Sequence, residues 1–199
     1  MLLTNLLPLI LFAVVSTLSP GGATTVATIS GVRYGFLRSL PFIAGVVAGL
    51  ALMSGVAARG LAGIIQGHSS LQLAMKLAGS LYLLTLAVRM ARSASPHSGA
   101  SLSKPPGFMA SVWLVWLNPK GWAMSLGAAA SYAIPQVTPG LQAIIQGLTL
   151  GLAGLLSLSL WCVAGSVLAR QIKTESGWRR INRLMALLLV VSVIPFHSG

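Results

Sequence analysis

Apolar residues run along this chain in long blocks, separated by short polar gaps. Six blocks approach the roughly 20 residues that a membrane-crossing helix needs. They cover Leu2–Thr28, Leu40–Ala58, Leu71–Ala91, Phe108–Ala133, Leu141–Ala169 and Ile181–Phe196. The pattern predicts an all-α polytopic membrane protein with six transmembrane helices. The first and fifth blocks exceed one straight crossing, so they tilt or break. The last is the shortest: its uninterrupted apolar part is Leu184–Phe196. No Lys or Arg precedes the first block, whereas a cleaved leader needs a basic start, so that block is expected to stay as a helix.

The polar gaps alternate in charge. The first, third and fifth carry Arg33, Arg38, Arg89, Arg92, Lys104, Arg170, Lys173, Arg179, Arg180 and Arg183. The second gap and the helix start after it carry Arg59 and Lys76, and the fourth has no base. By the positive-inside rule the odd gaps are cytoplasmic and both termini are outside, in the periplasm of a bacterium. The basic stretch Arg170–Arg183, with Trp178, also suits anionic lipid headgroups. The third gap is rich in Ser and Pro. It predicts a cytoplasmic linker at 92–106, between a three-helix repeat at 1–91 and a second at 107–199. Two halves of three crossings run in opposite senses, the 3+3 inverted-repeat plan of many secondary transporters. Leu18, Pro20 and Gly22 recur as Leu117, Pro119 and Gly121, and Gly45/Gly49 are echoed by Gly147/Gly151. The glycine pairs also have a plainer use, since small residues four apart let helices approach closely.

Composition narrows the chemistry. The chain has 199 residues, 55% hydrophobic and 7% charged, with 13 Lys+Arg against one acid, Glu175. Soluble domains carry about 25% charged residues. The net charge of +12 is spread through the gaps instead of forming a polar basic domain, so no nucleic-acid partner is expected. Without Asp there is no Ser-His-Asp triad or carboxylate pair, and no P-loop is present. The lone Cys162 excludes an internal disulfide and a dithiol relay, and His68, His97 and His197 are not spaced to share a metal. Neither enzyme activity nor a cofactor or metal is expected.

Two proline sites carry the functional expectation. Thr17-Leu18-Ser19-Pro20-Gly21-Gly22 interrupts the first helix, and Leu117-Asn118-Pro119-Lys120-Gly121 the fourth. Proline removes a helix donor and clashes with the carbonyl four residues back. Broken helices are tolerated in hydrocarbon where they line an enclosed or watered cavity. At 1.5 Å per residue, Pro20 and Pro119 lie roughly 20 and 17 Å from the cytoplasmic edge of a core about 30 Å thick. Lys120 is expensive at that depth, about 2.5–3.5 kcal/mol by insertion scales, and is therefore a functional candidate. Ser19, Thr24, Thr25 and Asn118 add polar groups at the same level. A helix restarting after either proline points N–H groups and a positive dipole end at a carboxylate. Lys120 adds a full charge, and Asn118 with freed carbonyls can accept an ammonium. The expected substrate site is therefore Ser19, Pro20, Gly21, Gly22, Thr24, Asn118, Pro119 and Lys120, and the expected partner a small zwitterion. With no acid at the centre, neutral zwitterions should be favoured over cationic ones.

These residues resemble the LysE/RhtB amino-acid exporter family. The resemblance rests on Ser19-Pro20-Gly21, Gly31-Val32-Arg33-Tyr34-Gly35-Phe36, Gly45, Gly79-Ser80-Leu81-Tyr82-Leu83, and Phe108 followed by Asn118-Pro119-Lys120. The closing pattern, Trp161, Gly165 and Arg183-Leu184-Met185-Ala186-Leu187-Leu188-Leu189, looks closest to the cysteine/O-acetylserine branch. Gly22 stands where the family pattern has a second proline, so a looser break is expected. The resemblance implies proton-driven efflux of amino acids or close derivatives across a bacterial inner membrane. Two other classes are weighed. A thiol–disulfide carrier would need two intramembrane cysteines. A non-transporting membrane subunit or assembly factor would show no flux in proteoliposomes. Six helices rich in small residues are compatible with a homodimer.

Overall fold

The computed structural model describes residues 2–61, 105–132, 134, 137–171 and 174–191, with 70, 73, 77, 81, 84, 85, 87, 88 and 91 as separate helical positions. Every regular element among the described residues is helical. These are α1 (Leu2–Leu18), α2 (Gly22–Val56) with a π-turn at Ala57–Leu61, α3 (Phe108–Trp116), α4 (Pro119–Ser131), α5 (Pro139–Gln171) and α6 (Glu175–Val191). Two of the helices, Gly22–Gly60 and Pro139–Gln171, are long and apolar enough to cross a membrane. Most of the third block and of the linker, and the end of the sixth block, lie outside the described residues.

Three boundaries differ from the hydrophobic pattern. The first and fourth blocks are each two helices, because Pro20 and Pro119 cannot continue the hydrogen-bond ladder. The first polar gap is not an extended loop. Helix continues through Arg33 and Arg38, and the chain turns at Gly35, whose φ of 76° is left-handed. A residue without Cβ makes that corner at little cost, so α2 has two arms, 22–34 and 36–56. At the other end of the chain α6 begins at Glu175, well before the last apolar block, and takes in Trp178, Arg179 and Arg180. Its only described ion pair is Glu175 with Arg179, 3.4 Å apart on the exposed surface.

The packing centre is α5 against both arms of α2. Near the corner, the backbones all but touch. A Cβ on Gly31 would meet the Cys162 carbonyl, and one on Gly165 the Thr28 carbonyl. Gly147 likewise faces the Ala51 carbonyl, at 2.7 Å from a Cβ position. Gly45 and Gly49 seat α3, against Phe108 and Val112. The paired glycines thus serve close packing. Further along the same bundle, the fully buried Gln146 of α5 ties arm 36–56 to α4. Its Nε2 donates to the Ser54 carbonyl at 3.1 Å and the Ser125 carbonyl at 2.9 Å, and the two serine hydroxyls meet at 2.9 Å.

Candidate functional site

The two breaks face one another. The Lys120 Nζ, from the first turn of α4, donates to the Ser19 carbonyl at 2.6 Å, the Ser19 hydroxyl at 2.8 Å and the Pro20 carbonyl at 3.4 Å. An ammonium has three donors, and here all three are used. Gly21 leaves room for this. Its backbone is extended, with φ −176°, so conformation does not demand glycine. A Cβ there would lie 3.1 Å from Lys120 Cδ and 3.2 Å from Nζ. Clearance for the lysine is the reason for glycine at this position.

A helix end leaves its last carbonyls without partners. At α1 they are all accounted for. The Ser16 carbonyl accepts from Ser19 Oγ at 2.8 Å, and Thr17 from Ser157 Oγ at 2.7 Å. The Leu18 carbonyl accepts from Trp161 Nε1 at 3.2 Å, and Ser19 and Pro20 from Lys120. The expected site left out Thr17, Ser157 and Trp161; for the last two, the helical pattern of α5 does not reveal which of its polar residues face a break.

The starts of the two restarting helices are unlike. At α4, Asn118 is the cap: its Oδ1 accepts the Lys120 N–H at 3.0 Å and its carbonyl the Gly121 N–H at 3.0 Å, while Pro119 has no N–H. That end is satisfied. At α2 the cap residue Gly21 has no side chain. The Thr24 hydroxyl accepts the Gly21 N–H at 2.8 Å and donates to the Gly21 carbonyl at 2.9 Å. Helical hydrogen bonding begins only with the Thr25 N–H on the Gly21 carbonyl at 2.9 Å. The amides of Gly22, Ala23 and Thr24 therefore form the open, positive end of α2. Gly22, which stands where a second proline was expected, is the first residue of α2.

These groups line a cavity between α1, α2, α3, α4 and α5. Gly21, Thr24, Asn118 and Lys120 contribute its polar wall, with Thr17 and Ser157, and Leu50, Val115 and Met124 are among its apolar walls. Its volume is about 40 Å³, room for about three waters at 10–15 Å³ each. Ser19 and Pro20 reach it only through Lys120. Gly22 and Pro119 are the first residues of α2 and α4, and Thr25 is buried. The tryptophans pack instead of lining it. Trp116 Nε1 donates to the Gly49 carbonyl at 3.1 Å, and Trp122 Nε1 to the Trp116 carbonyl at 2.8 Å. Trp113 is 59% exposed on the outer surface. Cys162 is buried as a small apolar residue of the core.

Lys120 thus joins the two breaks across 101 positions of the chain. The LysE type translocator family matches residues 14–196, which include both breaks. The chain belongs to the LysE type translocator family. Similar proteins include the cysteine/O-acetylserine efflux protein of Klebsiella pneumoniae subsp. pneumoniae, 27% identical over 92% of each chain. Those of Salmonella typhimurium (strain LT2) and Escherichia coli (strain K12) are 25% identical, again over 92% of each chain. No solved structure matches. As a LysE type translocator the chain is a membrane protein, and its similarity to these efflux proteins agrees with the branch resemblance of its closing segment.

Proposed function

We propose that this protein exports small neutral amino acids or their derivatives from the bacterial cytoplasm, with cysteine and O-acetylserine as the first candidates. The efflux relatives supply those candidates. The observation that carries the reading is the Lys120 ammonium on the Ser19 and Pro20 carbonyls, beside the open N–H groups of α2. A zwitterion can trade places with this internal pair. Its carboxylate takes Lys120 and the amides of Gly22, Ala23 and Thr24, where a negative charge is stabilised by the helix end. Its ammonium takes the carbonyls that Lys120 leaves. The Lys120 ammonium and the carbonyls of α1 then have partners before and after the exchange, and the open amides of α2 gain one, as a low-dielectric site favours. A cationic side chain would find no acid to meet it.

In this proposal six crossings form the 3+3 inverted plan, with halves 1–91 and 107–199 joined by the cytoplasmic linker 92–106. Both termini are periplasmic, in the inner membrane. Efflux is proton-coupled, and with Glu175 on the surface pair, the coupled proton travels on Lys120 or on the substrate amine.

The test is flux from proteoliposomes loaded with cysteine or O-acetylserine, with protein content measured in parallel. Lys120→Met should insert normally and lose at least tenfold in flux, since a bound carboxylate loses a charged partner worth about 1.5–3 kcal/mol. Wild-type flux in Lys120→Met would move the site elsewhere. Preferential export of arginine would overturn the substrate class. No flux of any amino acid in the wild type would favour a non-transporting subunit.

A further inference from the structure

A second hollow, about ten times larger, opens on the outer surface where arm 36–56 meets the first turns of α5. Its volume is about 420 Å³. The floor is made of small residues, Gly55, Ala143 and Gly147. Leu52, Ile144 and Leu148 form the walls and are 57–61% exposed. Among the described residues of floor and walls none offers a polar side chain, so the hollow suits hydrocarbon.

Its rim is different. Arg59 lines one end, in the turn that closes α2, and is exposed. Its Nη2 lies 3.2 Å from where a Cβ on Gly140 would stand, so the guanidinium reaches across to the first turn of α5. That turn starts a 33-residue helix, whose N-terminus is itself positive. Pro139 has no N–H, and Leu141 N–H is held by the Thr138 hydroxyl at 3.3 Å, which leaves the Gly140 amide beside the guanidinium. Two positive features thus adjoin with no acid near them. The sequence has a single acid, Glu175, and it sits on Arg179. Among the described residues no acidic side chain is left to pair with Arg59.

We propose that this groove binds one anionic phospholipid, with an acyl chain along the Gly55–Ala143–Gly147 floor and the headgroup phosphate on Arg59. Hydrocarbon and anion are needed within one molecule and about one helix turn of each other. Arginine pairs well with phosphate because its planar fork donates two parallel hydrogen bonds. The site is separate from the central cavity, and its occupancy is independent of what is transported.

The experiment uses the full chain, purified in mild detergent and titrated with phosphatidylglycerol or phosphatidylcholine of identical acyl chains. Bound lipid is counted by native mass spectrometry, and each variant is melted to check its fold. The wild type should retain one phosphatidylglycerol at a concentration at least tenfold below that needed for phosphatidylcholine. Arg59→Gln should abolish that preference without changing the melting temperature. Ala143→Leu, which fills the floor, should weaken retention of both lipids. Equal retention of the two lipids by the wild type would overturn the proposal, as would an unchanged preference in Arg59→Gln. A lipid-independent dimer that Ala143→Leu dissociates would assign the groove to a second copy instead.

Discussion

Gly22 separates the roles of charge and backbone at the break. It is the first residue of α2, a position that suits proline because its fixed φ fits and its amide is unpartnered in any case. The preceding Gly21 is extended, as a residue before proline must be. Gly22→Pro should therefore fold as well as the wild type while removing one amide from the proposed carboxylate cradle. The apparent KM for export should rise about tenfold, the effect of losing one hydrogen bond to a charged group at about 1.5 kcal/mol. An unchanged KM would mean that the carboxylate does not sit at this helix end. The sequence makes both breaks and the cost of Lys120 legible, because proline and a mid-depth charge are local signals. Which helix start is open is not legible. It depends on Asn118 turning its side chain back onto Lys120 N–H, and on Gly21 having none to turn.

The element scale is governed by contact between α2 and α5. Gly165 and Gly31 touch carbonyls of the facing helix, and neither neighbour can move without shifting a backbone. Gly165→Ala should lower stability by about 1–3 kcal/mol, as overpacking of a tight interface does. Gly127→Ala should be nearly silent, because a Cβ there meets only the Phe12 ring, at 3.8 Å. Thermal melting in detergent compares the two, and equal melting temperatures would contradict the close approach. The hydrophobic pattern placed a polar gap where α2 continues through Arg33 to Arg38. Basic residues signal a membrane edge, and the chain satisfies that signal by turning on Gly35 alone. Hydropathy cannot distinguish a one-residue corner from a loop.

Across the whole molecule, the proposed orientation rests on the distribution of bases, with ten in the odd gaps against Arg59 and Lys76 in the others. A reporter fused after Gly199 should behave as periplasmic, and one inserted between Ser93 and Ser103 as cytoplasmic. A cytoplasmic signal from the C-terminal fusion would remove the sixth crossing and the inverted plan with it. The same charge imbalance shaped what could be excluded from sequence. A chain with one acid has no general-base pair or carboxylate cage, and that negative result left a lysine at the centre as its main chemical resource.

Lys120 can be described as a guest tethered to its own host. The nest of carbonyls at the end of α1 would accept any small ammonium, and the chain fills it with one of its own, 101 positions away. In the proposed export cycle, a departing substrate would leave behind an ammonium already within reach of the same oxygens, so the protein would not strand a bare charge in hydrocarbon to return for the next load. On the same proposal the tether would rank the cargo: a molecule with only one of the two charges would displace half of the internal pair and strand the other half, which would discriminate against simple acids and simple amines.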